Sequence, residues 1–590
     1  MLRPPHRLAT AAGILAALAG VLAAGGLTPA GAVTAPSRAT LYTVTFEGTN
    51  LAGRPDTGGS MNLFNVDNSR LAGLQTFARF EQGVATFHVP AGHYFGIGAF
   101  GATSPTAPAP RHVILPQVNV LGNQTVAVRE SAASSEVTIT TPRSATVLDT
   151  DVWLERTAAS GPPLVIELYN YDVHGQEWLS PEDSKPTVGT LRVAVNQHLE
   201  SPPGSGVPYE YTLSYTDPPG IIPDQHYVAT ARQLATVHER FYQPVKTSGG
   251  WAFNGSLPGT NPNNTADWFG FIEPAGPSVT YPGQLTEYAG GRGTAAMEWF
   301  GQYDPGHGTP WLAGDIRLLH PGQQLTENWG AYPLHTAANV LLQSDPNMFG
   351  ATLPSASRQG NTLTLDVDPF DDNQPGHDIG WLGSTSAAKV AGTYQVDQNG
   401  IKIAGGNAVS KIPGPNGEFY TKATLASAKP STIQFSLQVT RTGAGYPLSN
   451  ADRTVWTWHT GPPGAAKLPA GWTCVQFQRV SNCAVQPMLT LRYAVAGLSL
   501  RGAAPAGRQV LQLSVGHLQA AAACAITRAA VSVSFDGGKT WNRARVTGHD
   551  GRYTAVFGAR AGAKVSLRTS ASDAAGGSIT ETITSAYQIA

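Results

Sequence analysis

Charge is scarce in this sequence. Only 13% of its 590 residues are Asp, Glu, Lys or Arg, and the formal net charge is −1. No sustained basic stripe breaks that sparseness, so nucleic acid and anionic membrane surfaces are not expected partners. Cysteine is scarcer still, at three residues, and no zinc-site spacing occurs among them. After the N-terminus no segment is apolar enough to hold the chain in a bilayer. Alternating strand and helix patterns are missing as well, which argues against a parallel α/β fold.

What is abundant is glycine (66) and proline (44), with aromatics at 8%. That balance suits many short strands joined by turns and is too apolar for global disorder. The length predicts several domains. Residues 1–32 read as a signal peptide: Arg3 and Arg7, the apolar run AAGILAALAGVLAAG, then Ala30-Gly31-Ala32 as a cleavage site. The mature chain is therefore expected to be secreted, with no membrane attachment after signal removal.

The expected fold is all-β, tandem β-sandwiches of immunoglobulin-like and related types. Residues 40–130 form a first sandwich, with LYTVTFEG, MNLFNV and the pair of strands around Pro90-Ala91-Gly92 in GVATFHVPAGHYFGIGAF. Residues 131–345 are a β-rich middle region of one or two domains. Within it ATARQLATVHERFYQ allows a helix through Leu234, Val237 and Phe241, or a strand face of Val237, Glu239 and Phe241. Residues 346–470 read as a further sandwich, in which Asn399-Gly400 sets a two-residue hairpin. Residues 471–485 carry Cys474 and Cys483 on a hairpin, a disulfide in an oxidising compartment. Residues 486–590 close the chain as an immunoglobulin-like sandwich, in which Cys524 reads as a buried thiol.

Four constellations carry candidate chemistry. The acid-rich stretch DVDPFDDNQPGHD supplies Asp366, Asp368, Asp371, Asp372 and Asp378, oxygen ligands for a structural calcium ion if the stretch is a loop. Asp267, Glu298 and Glu327 stand beside aromatics, and two carboxyls facing across a cleft would make a glycosidase. Trp268, Trp299 and Trp329 are candidates for an aromatic face that stacks on sugar rings or anchors a protein partner. Ser534-Phe535-Asp536-Gly537-Gly538-Lys539-Thr540-Trp541 matches the Asp-box hairpin, a folding motif without catalysis.

Three fragments resemble the catalytic motifs of subtilisin-like peptidases: VLDTDV around Asp149, HGTPWLAG at His307 and GSTSAAKVAG around Ser386. A triad needs its histidine and serine on helices of a parallel sheet, with an oxyanion hole. His307 is followed instead by Pro310 and Trp311, and the residues after Ser386 are too few for the nucleophile's helix. No catalytic residue is assigned. Longer phrases resemble the non-catalytic C-terminal accessory region of secreted actinobacterial subtilisin-like peptidases. They are PGQLTEYAGG, LLHPGQQLTENWGAYPLH, TYQVDQNGIKIAG, TVWTWHT and, most specifically, VSVSFDGGKTWNRARVTGHDGRYTAVFGARAGAKVSLRTSASDAAGGSITETITSAYQI. Residues 40–130 resemble the carboxypeptidase regulatory-like module. These resemblances imply an extracellular binding or accessory module, without its catalytic domain, whose partner is a protein or polysaccharide. The alternatives are a carbohydrate-binding protein or a divergent secreted hydrolase.

Overall fold

The computed structural model describes residues 40–71, 76–101, 109–169, 176–258, 278–291, 297–304, 312–314, 317–338, 340–341, 353–379, 389–408, 419–427, 429–443, 445–461, 468–469, 472–474 and 482–590. At 169, 247–258, 278–279, 297–300, 302, 304, 313, 340–341, 353, 378–379 and 389 it describes the backbone only. Among the described residues there is no α-helix; strands are interrupted by three single-turn 3-10 helices. The protein is an all-β chain of several packed sheets. No helix of the described residues is long and apolar enough to cross a membrane.

The first unit packs a three-stranded sheet (Val84–Pro90, Leu41–Thr49, Gln124–Arg129) against a six-stranded one built on Ser60–Asn65, Gly92–Phe100 and Arg111–Val120. Alternation drives Val44, Phe46, Met61, Phe87 and Val128 into one core. The two strands around Pro90-Ala91-Gly92 do not pair with each other. Val84–Pro90 bonds to Leu41–Thr49, whereas Gly92–Phe100 bonds to Ser60–Asn65 and Arg111–Val120. The turn is thus a corner between sheets, and the Tyr94 hydroxyl pins it by donating to the Pro90 carbonyl at 2.9 Å.

The middle region is organised by a seven-stranded sheet. Its order is Leu164–Tyr169, Thr146–Arg156, Leu191–Glu200, Tyr209–Thr216, Gly283–Gly291, Leu234–Phe241, Gln324–Trp329. The ambiguous stretch at 229–243 is a 3-10 turn, Ala231–Gln233, followed by the strand Leu234–Phe241, on which Val237, Glu239 and Phe241 all face inward. A second sheet, containing Thr247–Pro258 and Met297–Asp304, lies beside it.

The segments 346–470 and 486–590 share one sheet and one core. Ala451–Thr460 pairs on one side with Ser431–Thr442 and on the other with Ser578–Ile589. The nine-stranded sheet so formed is covered by a four-stranded sheet of Leu489–Val495, Gly507–His517, Arg552–Ala559 and Arg545–His549. Trp456 and Phe435, stacked at 5.2 Å, belong to the same cluster as Leu489, Leu511 and Leu567. A boundary near 470 is therefore a change in sequence character and not a division in packing. The reason is that Ala451–Thr460 would otherwise be an unpaired edge with a buried face, and the late strand covers it. Asn399 and Gly400 both take positive φ (51° and 80°) in the tight turn between Lys389–Gln398 and Ile401–Asn407. Cys474 and Cys483 form a disulfide with Cα atoms 6.1 Å apart.

Candidate functional site

A cleft of about 690 Å³ lies where the middle region meets the C-terminal four-stranded sheet. One wall is the outer face of that sheet. In Leu489–Val495 the even positions Thr490 and Arg492 point outward while Leu489, Leu491 and Tyr493 are buried. Ser514 lies beside Arg492 on the neighbouring strand. Gln374, Arg317, His517 and Gln519 complete the polar lining.

Behind Arg317 lies a buried ionic network. Its guanidinium binds Glu327 with both terminal nitrogens, at 2.7 and 2.8 Å. Glu327 also contacts His377 Nε2 at 2.9 Å, and His377 Nδ1 contacts Asp372 at 3.0 Å. Asp372 further accepts the Gly330 and Gln374 amides, and the Trp329 ring stacks on the imidazole at 4.0 Å. Burial works against the charge on His377. Asp372 and Glu327 outweigh it and raise the imidazole from 6.5 to about 9. Glu327, flagged as a possible acid catalyst, is instead held by a guanidinium and an imidazole and faces no cleft of its own.

A second network joins remote segments. His335 Nδ1 meets Glu581 at 3.1 Å across 246 residues of sequence, and the Tyr493 hydroxyl donates to the same carboxylate at 2.6 Å. Thr454 donates to both Glu581 and Asp452. Burial, then the Glu581 charge, raises Asp452 from 3.8 to about 8. These groups are sealed in the core and offer nothing to a ligand.

The calcium candidates lie on and beside a strand. Asp366, Asp368 and Asp371 lie within the strand Thr362–Asp371, and Asp372 follows it; all four side chains are buried. They are not among the groups of described residues that bring three donor side chains within 4.8 Å of one another. Among the described residues, two other groups bring three donor side chains within 4.8 Å of one another: Glu210, Glu239 and Glu287, and His517, Cys524 and Asp573. The glutamates sit on adjacent strands of the seven-stranded sheet, with His198 Nε2 on Glu210 at 3.0 Å and Thr212 donating to Glu287.

The aromatic face is corrected at Trp329, which is wholly buried; its indole nitrogen donates to Glu239. Trp299 and Glu298 lie in Met297–Asp304, and only their backbone is described. Trp268, Asp267, His307 and Ser386 lie outside the described residues, as do residues 1–32. Asp149 is buried on Thr146–Arg156, opposite His198. The hairpin at 534–541 is tied by Asp536, which accepts the Lys539 and Thr540 amides, while Arg568 covers the Trp541 ring at 4.1 Å. Sequence reasoning missed Arg317, His377, Arg492 and His517. Only the Pro-Gly-His turn at 375–377 held a local signal for any of them.

No family model matches the chain, and no curated protein matches it. Among solved structures it is similar to the Corynebacterium diphtheriae major pilin SpaA, at 10% identity over 60% of this chain and 92% of that one, with a TM-score of 0.14. It is also similar to the Sidekick-1 immunoglobulin domains 1–5, at 9% identity over 93% of this chain and 97% of that one, with a TM-score of 0.09. At these scores neither likeness carries an argument; the all-β class rests on the sheets themselves.

Proposed function

We propose that this protein is a secreted, non-catalytic binding module, of the accessory kind found in the tails of subtilisin-like peptidases, and that its cleft takes a segment of extracellular polysaccharide bearing acidic groups. The observation that supports this reading is the lining of the cleft. Thr490, Ser514, Gln374 and Gln519 offer hydroxyls and amides suited to sugar hydroxyls, and Arg492 offers a planar fork suited to a carboxylate.

The test is sedimentation of residues 33–590 with insoluble acidic polysaccharide, neutral polysaccharide and cell-wall fractions. Retention on the acidic polymer, reduced about ten-fold or more in Arg492→Glu, supports the reading, since a charge-assisted hydrogen bond is worth roughly 1.5–3 kcal/mol. Retention that Arg492→Glu leaves unchanged moves binding away from the cleft. Retention on neutral polymer alone, or on a protein alone, overturns the ligand class. Arg317 is a poor target, because its removal takes one of two cationic partners from the buried Glu327.

A further inference from the structure

We propose that His517, Cys524 and Asp573 form a binding site for a zinc-class divalent transition-metal ion beside the cleft. His517 also lines the cleft, but the site rests on its donor geometry and not on the ligand the cleft takes.

The argument starts from one nitrogen. His517 Nε2 lies 3.0 Å from Asp573 Oδ2 and 3.8 Å from Cys524 Sγ. A thiol–imidazole–carboxylate relay needs the two partners on opposite ring nitrogens, so that one donates while the other accepts. Here both partners face the same nitrogen. Nε2 cannot donate to the carboxylate and accept from the thiol at once. The three donor atoms, all within 4.8 Å of one another, instead converge on a common point. That is what a chelate requires.

The distances suit a tetrahedral ion. Zinc bond lengths to nitrogen, oxygen and sulfur imply ligand separations of about 3.3 Å for N···O and about 3.6 Å for N···S. The observed separations differ from these by a few tenths of an ångström, within the reach of small side-chain rotations. Thiolate, imidazole and carboxylate together select zinc over calcium or magnesium, which prefer oxygen alone.

The surroundings hold the donors in place. Asp573 Oδ1 accepts the Ala575 and Gly577 amides at 2.9 and 2.7 Å, which orients the carboxylate and leaves Oδ2 facing His517. The turn demands glycine at 577, where a Cβ would lie 2.5 Å from Asp573 Oδ2. The His517 and Asp573 side chains are 5% and 2% exposed, so two ligands are pre-positioned out of water. Cys524 is part-exposed and is the one cysteine outside the disulfide. It marks the solvent side, where water completes the coordination. On binding, the thiol proton is released to solvent and the imidazole proton resides on Nδ1, so that Nε2, Sγ and Oδ2 each present a lone pair to the ion.

Cobalt(II) is the probe, titrated into the full chain with its disulfide intact. A thiolate-to-cobalt charge-transfer band, saturating at one ion per chain and abolished by zinc, is expected. Cys524→Ser removes the band, and His517→Gln weakens binding about ten-fold or more, the range typical of a disturbed metal site. In parallel, zinc slows alkylation of Cys524 by iodoacetamide in the wild type, a readout that needs no variant to fold. Cobalt binding without the thiolate band, or alkylation at the same rate with and without zinc, overturns the site and leaves a histidine–aspartate pair with a neighbouring thiol.

Discussion

His377 should make this protein lose stability as the solution turns alkaline. The imidazole is enclosed between Asp372 and Glu327 and has its pKa raised from 6.5 to about 9. A folded-state pKa above the unfolded one means that the folded chain holds the proton more tightly. The contribution is complete below about pH 6.5, declines between the two values and is gone above about pH 9. The gap corresponds to on the order of 3 kcal/mol at about 1.4 kcal/mol per unit. His198 and His335 are also raised, with burial opposing and their carboxylate neighbours prevailing, and Asp452 is raised by burial and by Glu581. All three act with the same sign, so the wild type alone does not isolate His377. The assay is therefore urea unfolding of wild type and His377→Gln at about pH 6 and about pH 9.5, compared as a difference. The variant should lose about 3 kcal/mol less than the wild type across that interval. Equal losses in the two proteins would refute the charged, bridging imidazole.

Three further outcomes are expected. Trp456→Ala removes a buried indole that stacks on Phe435 and donates to the Leu489 carbonyl; unfolding should show a cost of about 3–5 kcal/mol. Opening the Cys474–Cys483 link, which closes a loop with a sequence separation of 9, should cost about 2.5 kcal/mol on the chain-entropy relation, measured by unfolding with and without reductant. Asp536→Ala should speed hydrogen exchange at the Lys539 and Thr540 amides it now accepts while leaving polymer retention unchanged; a change in retention would place that hairpin in the binding surface.

Strand pattern was the legible layer. STIQFSLQVT alternates buried and open positions from Ser431 onward, as its period-two spacing dictates. Asn399-Gly400 announced its turn because two successive positive-φ positions are costly for most other residues. The polar interior was not legible. Hydropathy places Glu and Asp outside, yet Glu239, Glu327 and Asp368 are buried on strands. Their burial depends on partners brought by distant segments, such as His377 for Glu327, and no local spacing encodes that pairing. Two separate suspicions, Glu327 as an acid and Asp372 as a calcium ligand, proved to be opposite ends of one network through a histidine that neither reading named. The proposed metal-donor group was hidden for the same reason: Asp573 ends the strand Lys564–Asp573, 56 residues beyond His517.

The pairing of Ser578–Ile589 with Ala451–Thr460 also sets a timetable. A ribosome makes residues 389–460 well before residue 578, and until then the strand that ends that block has an open edge and an uncovered apolar face. The nine-stranded sheet cannot be completed progressively behind the growing chain, because it needs a strand made more than a hundred residues later. Completion of the C-terminal sheet is thus a late event, tied to the synthesis of its last strand.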